Sequence, residues 1–332
     1  FTDEHYREAG AKVVSGAEAE AAWGAADIVL RVYPITPGEA SKLKEGALLI
    51  GFMSQHKNLE SVKILRDRKV STISMELIPR ISRAQSMDAL SSQASIAGYQ
   101  AVLMAATYLD KYFPLLMTAA GTIQPAKIVI MGAGVAGLQA IATAKRLGAV
   151  VEVSDIRPAV KEQVESLGGR FIDFPMDESG EGEGGYAREL TPEQLAAQQE
   201  VVRQKVVAAD AVITTALVPG RPAPKLITED MVKEMREGAV IVDLAVESGG
   251  NCELSKSGEM VSAHGVTIIG HPNMPAATPA DASLLYSRNI LTLLLSTLKD
   301  GEVVLDLEDE ILDGALLTHN GEVRHGPTAE AL

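Results

Sequence analysis

The chain has 332 residues, enough for two domains of ordinary size, and at 46% hydrophobic and 22% charged it can build sizeable cores. Its formal net charge of −14 speaks against nucleic acid, which selects basic patches, and against direct docking on anionic lipid. A single cysteine, Cys252, excludes an internal disulfide and fits a reducing compartment, and the six scattered histidines lack the spacing of a metal site.

The chain opens at Phe1, without an initiating methionine, directly into a helical pattern, as in a fragment or a processed product. Residues 13–14, 27–32, 47–52 and 72–77 then read as strands, with helices at 18–23, 37–43 and 59–66 between them. Strands alternating with helices imply a parallel sheet. From Ser86 to about Tyr112 the pattern is one long helix, whose Ala89, Ala94, Ala97, Ala101 and Ala105 allow close packing between two domains.

A second alternating block has strands at 128–131, 150–154, 170–174, 211–214, 240–243 and 266–269, and helices at 137–147, 158–167, 192–208 and 228–236. A long apolar helix at 282–298 is expected to return to the first domain. Beyond Lys299 the chain is acidic and poorly patterned, and the acidic residues from Glu302 to Asp313 read as a solvated face. The expected fold is α/β: two Rossmann-like, doubly wound parallel-sheet domains linked by long helices. One comprises residues 1–120 and 275–332, the other 121–274. No membrane span is expected, because the most apolar stretch, 128–144, is better read as strand, glycine turn and helix.

That turn carries the strongest motif. Gly132-Ala-Gly134-Val135-Ala136-Gly137 follows a strand, opens a helix and is followed by a second strand ending in Asp155. Gly132 suits a tight turn, Gly134 the approach of a pyrophosphate, and Gly137 close helix packing. The helix N-terminus offers free N–H groups and partial positive charge. Asp155 lies near the spacing of about 20 residues expected for a carboxylate that binds a ribose 2′-hydroxyl. This favours NAD(H), although Arg157 is placed to accept a 2′-phosphate. Residues 177–190 are glycine and acid without core-forming side chains, either a mobile lid with Tyr186 as its contact or a passive insertion.

The other dense polar patch runs from 78 to 92. Asp88 and Ser91 share a helix face, and Arg80 is placed to bridge to Asp88. An arginine, a carboxylate and a hydroxyl suit an amide such as nicotinamide. The patch also reads as plain helix capping, since Ser82-x-x-Gln85 fits a capping box and Asp88 the helix dipole.

Residues 79–101, PRISRAQSMDALSSQASIAGYQA, resemble the signature of the NAD(H)-binding domain I of proton-translocating nicotinamide nucleotide transhydrogenases. GAGVAGLQAIATAKRLGAVVEVSDIRPAVKEQVESLGG, ITTALVPGRPAPKLIT and HPNMPAATPADAS extend the resemblance over nearly the whole chain. It implies direct hydride transfer between NAD(H) on this chain and NADP(H) on a partner domain III, coupled to proton movement through a membrane domain II. It also implies a homodimer, in a bacterial cytoplasmic location on the inner face of the plasma membrane through partner subunits. By the same resemblance Arg80, Asp88 and Ser91 contact the nicotinamide and Gln85 reaches toward domain III. Asp155 binds the ribose, and Tyr186 is the mobile-loop tyrosine. Val135, Ala136, Ile156, Arg157, Thr215 and Ala216 join the glycines as cofactor contacts. Family members carry strand-forming residues before the position of Phe1, so the first domain is read as lacking its N-terminal segment.

Transfer between two nicotinamides moves no O–H or N–H proton, so orientation and water exclusion suffice. A related alternative is an alanine-dehydrogenase-like enzyme, which needs a general base and a substrate-binding lysine. In an ungapped comparison those positions hold Val32 and Ser54, with Arg31 and His56 nearby. A third reading is a non-catalytic NAD-binding module. Cys252, Trp23 and Met104, Met117 and Met131 read as packing residues, and His271 borders the expected site.

Overall fold

The computed structural model describes residues 1–173, 192–218 and 221–332. In chain order the elements are α1 (Asp3–Glu8), α2 (Gly16–Ala25), β1 (Ile28–Leu30), α3 (Pro37–Ala40), β2 (Leu48–Gly51), α4 (Leu59–Asp67) and β3 (Ser71–Ser74). Next come α5 (Ala89–Tyr108), β4 (Leu116–Thr118), β5 (Gly121–Ile123), β6 (Lys127–Met131), α6 (Val135–Arg146), β7 (Val150–Ser154), α7 (Lys161–Ser166) and β8 (Arg170–Phe171). They continue with α8 (Pro192–Val207), β9 (Ala211–Thr214), α9 (Glu229–Glu234), β10 (Val240–Asp243), β11 (Met260–Ala263) and β12 (Val266–Ile269). The chain closes with α10 (Pro279–Ser296), β13 (Leu298–Lys299), β14 (Glu302–Val303), α11 (Glu310–Ala315), β15 (Leu316–His319), β16 (Glu322–Val323) and α12 (Gly326–Ala331).

These elements form two compact units, Phe1–Gln93 with Pro279–Leu332, and Ala94–Thr278. The units divide inside α5 and at the start of α10, whereas the sequence pattern suggests divisions near 120 and 274.

In the first unit, β1, β2 and β3 run parallel, and the sheet continues through β15 and β16, each antiparallel to its neighbour. Side chains alternate across the strands. Leu48, Ile50 and Ile73 join Tyr286, Ile290 and Leu293 of α10 and Ile311 and Leu312 of α11 in one core. Leu49 and Leu317 join Leu43, Val62 and Leu65 in another core, with Trp23 packed against it. Two expectations are corrected here. Residues 13–14 form no strand. The tail supplies a buried sheet strand, Leu316 and Leu317, so the sheet is mixed rather than all parallel. The 302–313 stretch keeps its acidic residues at the surface, all exposed but the half-buried Asp309 that caps α11, while Ile311 and Leu312 are buried. Its acidic average hides a short apolar pair.

The second unit has strand order β11-β12-β10-β9-β6-β7-β8, parallel except for the edge strand β11. The direction of winding reverses between β6 and β9, the place where sheets of this kind bind ligands outside the carboxyl ends of their strands. Ile128 and Ile130 face the core that includes Ala101, Val102 and Ala105 of α5, and Val129 and Met131 face the core on the other side. The sequence pattern misses β11 and the β4–β5 hairpin. Met117 on that hairpin is exposed rather than a core filler. Gly98 is also unforeseen: a Cβ there would collide with the Ala136 carbonyl, so this glycine sets how closely α5 packs on the start of α6.

Candidate cofactor site

The glycine turn of the second unit follows β6 at the winding reversal. Gly132 has φ +105°, and its N–H donates to the Ser154 carbonyl of β7 at 2.8 Å. Any Cβ at Gly137 would strike the Gly132 carbonyl, so the missing side chain lets α6 begin directly against the turn. Gly134 is different. It is the N-cap of α6, and a Cβ there would meet nothing within 4 Å. No side chain caps α6 and no acid lies in its first turn. The opening N–H groups, those of Val135, Ala136 and Gly137, thus lack helical partners and leave donors and partial positive charge at this turn, where Gly134 is exposed. These features fit a dinucleotide pyrophosphate.

Asp155 follows the end of β7 with its side chain only 5% exposed. It accepts the Ala133 N–H at 2.7 Å and the Arg157 N–H at 2.8 Å. The Arg157 guanidinium adds two bonds of 3.0 Å, through Nε and Nη2. Burial alone would raise the Asp155 pKa, but the guanidinium and the two backbone donors outweigh it and hold the carboxyl below its usual range. The acid therefore ties the glycine turn to the strand end that it follows. Ile156, between the two, is 93% exposed, and Val135, Leu217 and Val218 are also exposed apolar residues.

Thr215 follows β9, and its hydroxyl reaches the Met131 and Gly132 carbonyls at 3.2 and 3.1 Å. Ala216 is held by a residue outside every motif, Asn251. This fully buried amide accepts the Ala216 N–H at 3.1 Å and donates to the Ala216 and Pro224 carbonyls at 2.9 and 2.8 Å. Asp243, also fully buried, fixes the segment carrying Asn251. Its carboxylate accepts Thr214 Oγ1, the Ala245 and Cys252 N–H groups and Ser255 Oγ. A buried polar side chain so surrounded has its hydrogen bonds satisfied. Cys252 is packed beside it, with burial pushing its thiol up to about 11, which leaves it inert. His271 is half-buried, and its buried Nδ1 has no partner among the described residues.

In the first unit the polar patch is a 3₁₀ turn, Ser82–Met87, leading into α5. The Ser82/Gln85 capping box does not form, since the residue preceding that turn, Ile81, has no capping side chain. Asp88 caps α5 instead. Its Oδ1 accepts the Ser91 N–H at 2.8 Å and its Oδ2 accepts the Ser91 hydroxyl at 2.6 Å. The Arg80–Asp88 bridge is absent: Arg80 is exposed and forms no ion pair among the described residues. Gln85 is exposed too. The turn is anchored by residues far away in sequence. Asn289 of α10 donates to the Ser86 carbonyl at 2.8 Å and accepts the Ser92 hydroxyl at 2.7 Å, and Arg83 pairs in a fork with Asp309 at 2.8 and 2.6 Å. Tyr186 lies outside the described residues. No helix among the described residues is long and apolar enough to cross a membrane.

Comparison with known proteins agrees with this architecture. Residues 1–97 match the alanine dehydrogenase/PNT N-terminal domain, and 101–326 the corresponding C-terminal domain. An NAD(P) transhydrogenase alpha-subunit protein of Rhodospirillum rubrum is 49% identical over 334 residues, spanning 98% of this chain and 86% of the relative. A transhydrogenase crystal structure from Sinorhizobium meliloti superposes with a TM-score of 0.86 at 46% identity, over 97% of this chain and 87% of that one. Alanine dehydrogenase 2 of Staphylococcus aureus is 29% identical over all of this chain and 84% of its own. The chain belongs to the alanine dehydrogenase/PNT family, and its degree of identity places it with the NAD(P) transhydrogenase alpha subunits rather than with the alanine dehydrogenases.

Proposed function

We propose that this chain is the NAD(H)-binding component of a proton-translocating NAD(P) transhydrogenase. It passes hydride directly between its own NAD(H) and NADP(H) on a partner domain III, coupled to proton movement through a membrane domain II. It works as a homodimer on the cytoplasmic face of the bacterial membrane, held there by its partners. The observation that carries the reading is the open, uncapped N-terminus of α6 at Gly134 with Asp155 beside the turn.

The bound nicotinamide supplies a carbon that gives or takes a hydride. The chain's own residues position it. The first N–H groups of α6 hold the pyrophosphate, and Asp155 accepts from the adenosine ribose. Ile156 and Val135 offer apolar surface to the adenine, and Thr215 and Ala216 line the same crevice. Asp88 spends two of roughly four lone-pair sites on Ser91, leaving two for the N–H groups of a carboxamide. Arg80, exposed and uncommitted to any ion pair among the described residues, donates to the carboxamide oxygen, and Gln85 extends toward the partner's ring. Tyr186, outside the described residues, is the tyrosine assigned to the bound cofactor.

An amino-acid dehydrogenase fits less well. In the ungapped comparison the positions of the lysine and histidine that such chemistry needs hold Val32 and Ser54. Arg31 is consumed by Glu39 at 2.9 Å and by the Tyr33 and Pro34 carbonyls, and His56 is exposed. Mixing the chain with an NADP(H)-loaded partner domain and following NADH oxidation tests the proposal. Hydride exchange supports it. Turnover of NAD with L-alanine by the chain alone, without any partner, overturns it.

A further inference from the structure

Within the chain, Asp155 has no acceptor to spare. A carboxylate offers about four lone-pair sites. All four are filled, by the Ala133 N–H, the Arg157 N–H, Arg157 Nε and Arg157 Nη2. The acid's side chain is 5% exposed while the arginine's is 57% exposed, so the guanidinium is the lid and the carboxylate lies beneath it. The two backbone donors are fixed by the turn and by the chain leaving β7. Apart from its two bonds to Asp155, the guanidinium has no other partner among the described residues and sits on a flexible stem.

We propose that Arg157 is the specificity-determining residue of this site, a cover that a ribose hydroxyl must displace and that afterwards stays beside the 2′ position. The proposal rests on the reading of Asp155 as the ribose acid. An entering 2′-hydroxyl needs a vacant oxygen on Asp155, and only the two guanidinium bonds can yield one. The released guanidinium remains two residues away and offsets the carboxylate's charge. A 2′-phosphate then meets a neutral pair rather than a bare anion, and finds a fork of donors matched to it. Discrimination against NADP(H) is consequently weaker than an unaccompanied carboxylate would give. The arginine both lowers the affinity for NAD(H) and softens its exclusiveness.

The test is a titration of the whole chain with NADH and with NADPH, following nicotinamide fluorescence, for the parent and for Arg157→Ala and Asp155→Asn. The pyrophosphate is common to both ligands, so its own attraction to Arg157 cancels in the ratio of dissociation constants. Arg157→Ala is expected to widen the preference for NADH by roughly tenfold, the usual scale of one charge-assisted phosphate contact. Asp155→Asn frees the guanidinium and is expected to narrow or reverse the preference. A parental chain that binds NADH, with Arg157→Ala keeping or narrowing the parental ratio, overturns the inference and leaves the cofactor reading standing. A parental chain that binds no NADH at all sinks both.

Discussion

Asp88 carries two duties that a single substitution to alanine would confuse. It caps α5 through the Ser91 N–H, a contribution of about 1 kcal/mol, and in the proposed function its remaining lone pairs hold the carboxamide. Asparagine caps a helix about as well as aspartate. Asp88→Asn is therefore expected to leave the melting temperature nearly unchanged, while slowing hydride exchange with the partner domain on the order of a hundredfold, the scale of a misplaced reactant. Arg80→Ala is expected to slow exchange comparably, with NADH affinity changed by less than about threefold, because most dinucleotide contacts lie elsewhere. Stopped-flow exchange and equilibrium titration of the same samples check both. Equal losses in rate and affinity would mean that these residues only bind.

Among elements, α5 and the loop after β9 illustrate opposite uses of small and polar residues. Glycine inside a helix costs roughly 1 kcal/mol relative to alanine, so Gly98→Ala would stabilise an isolated α5. In the folded chain the new methyl meets the Ala136 carbonyl, and overpacking of this kind costs about 1–3 kcal/mol. Urea unfolding should show net destabilisation. Net stabilisation would mean that α6 can retreat. Asn251→Ala strips three hydrogen bonds from the peptides at Ala216 and Pro224 and leaves buried groups unpaired. The expected loss is about 2–3 kcal/mol, with weaker NADH binding in variants still folded at the titration temperature. Unchanged NADH affinity would show that the loop needs no clamp.

For the whole molecule, acid is the expected weakness. Asp210 is buried, which by itself would raise its pKa, but the Lys111 ammonium, the Lys127 N–H and the Arg236 guanidinium hold it below its ordinary 3.8. Asp155 is shifted in the same direction. A carboxyl whose folded pKa is depressed contributes stability that is complete above the unfolded value and is lost as pH falls through the folded one. The thermal midpoint should therefore hold steady through neutral pH and fall once the solution drops below about pH 4. A midpoint that rises on acidification would show that these pairs do not stabilise the fold.

The dinucleotide unit was legible because its rules are local. A strand, three glycines, a helix and a strand-end acid are neighbours in sequence, and their spacing encodes the turn directly. The signature around Arg80, Gln85, Asp88 and Ser91 was equally visible as a string, although residues alone left capping and binding unresolved, and Asp88 in fact caps. What sequence could not supply depends on partners far along the chain. Asn251 clamps Ala216, Asn289 and Asp309 anchor the 82–87 turn, and Leu316–His319 joins a sheet begun before residue 30. A hydrogen bond across such distances leaves no periodicity, and a short apolar strand inside an acidic tail is lost in its average. The sequence by itself determined which turn is proposed to hold the phosphates and which acid follows it. Only the tertiary structure decided that this acid is already covered by its own arginine, because side-chain occupancy is a property of packing in space rather than of order along the chain.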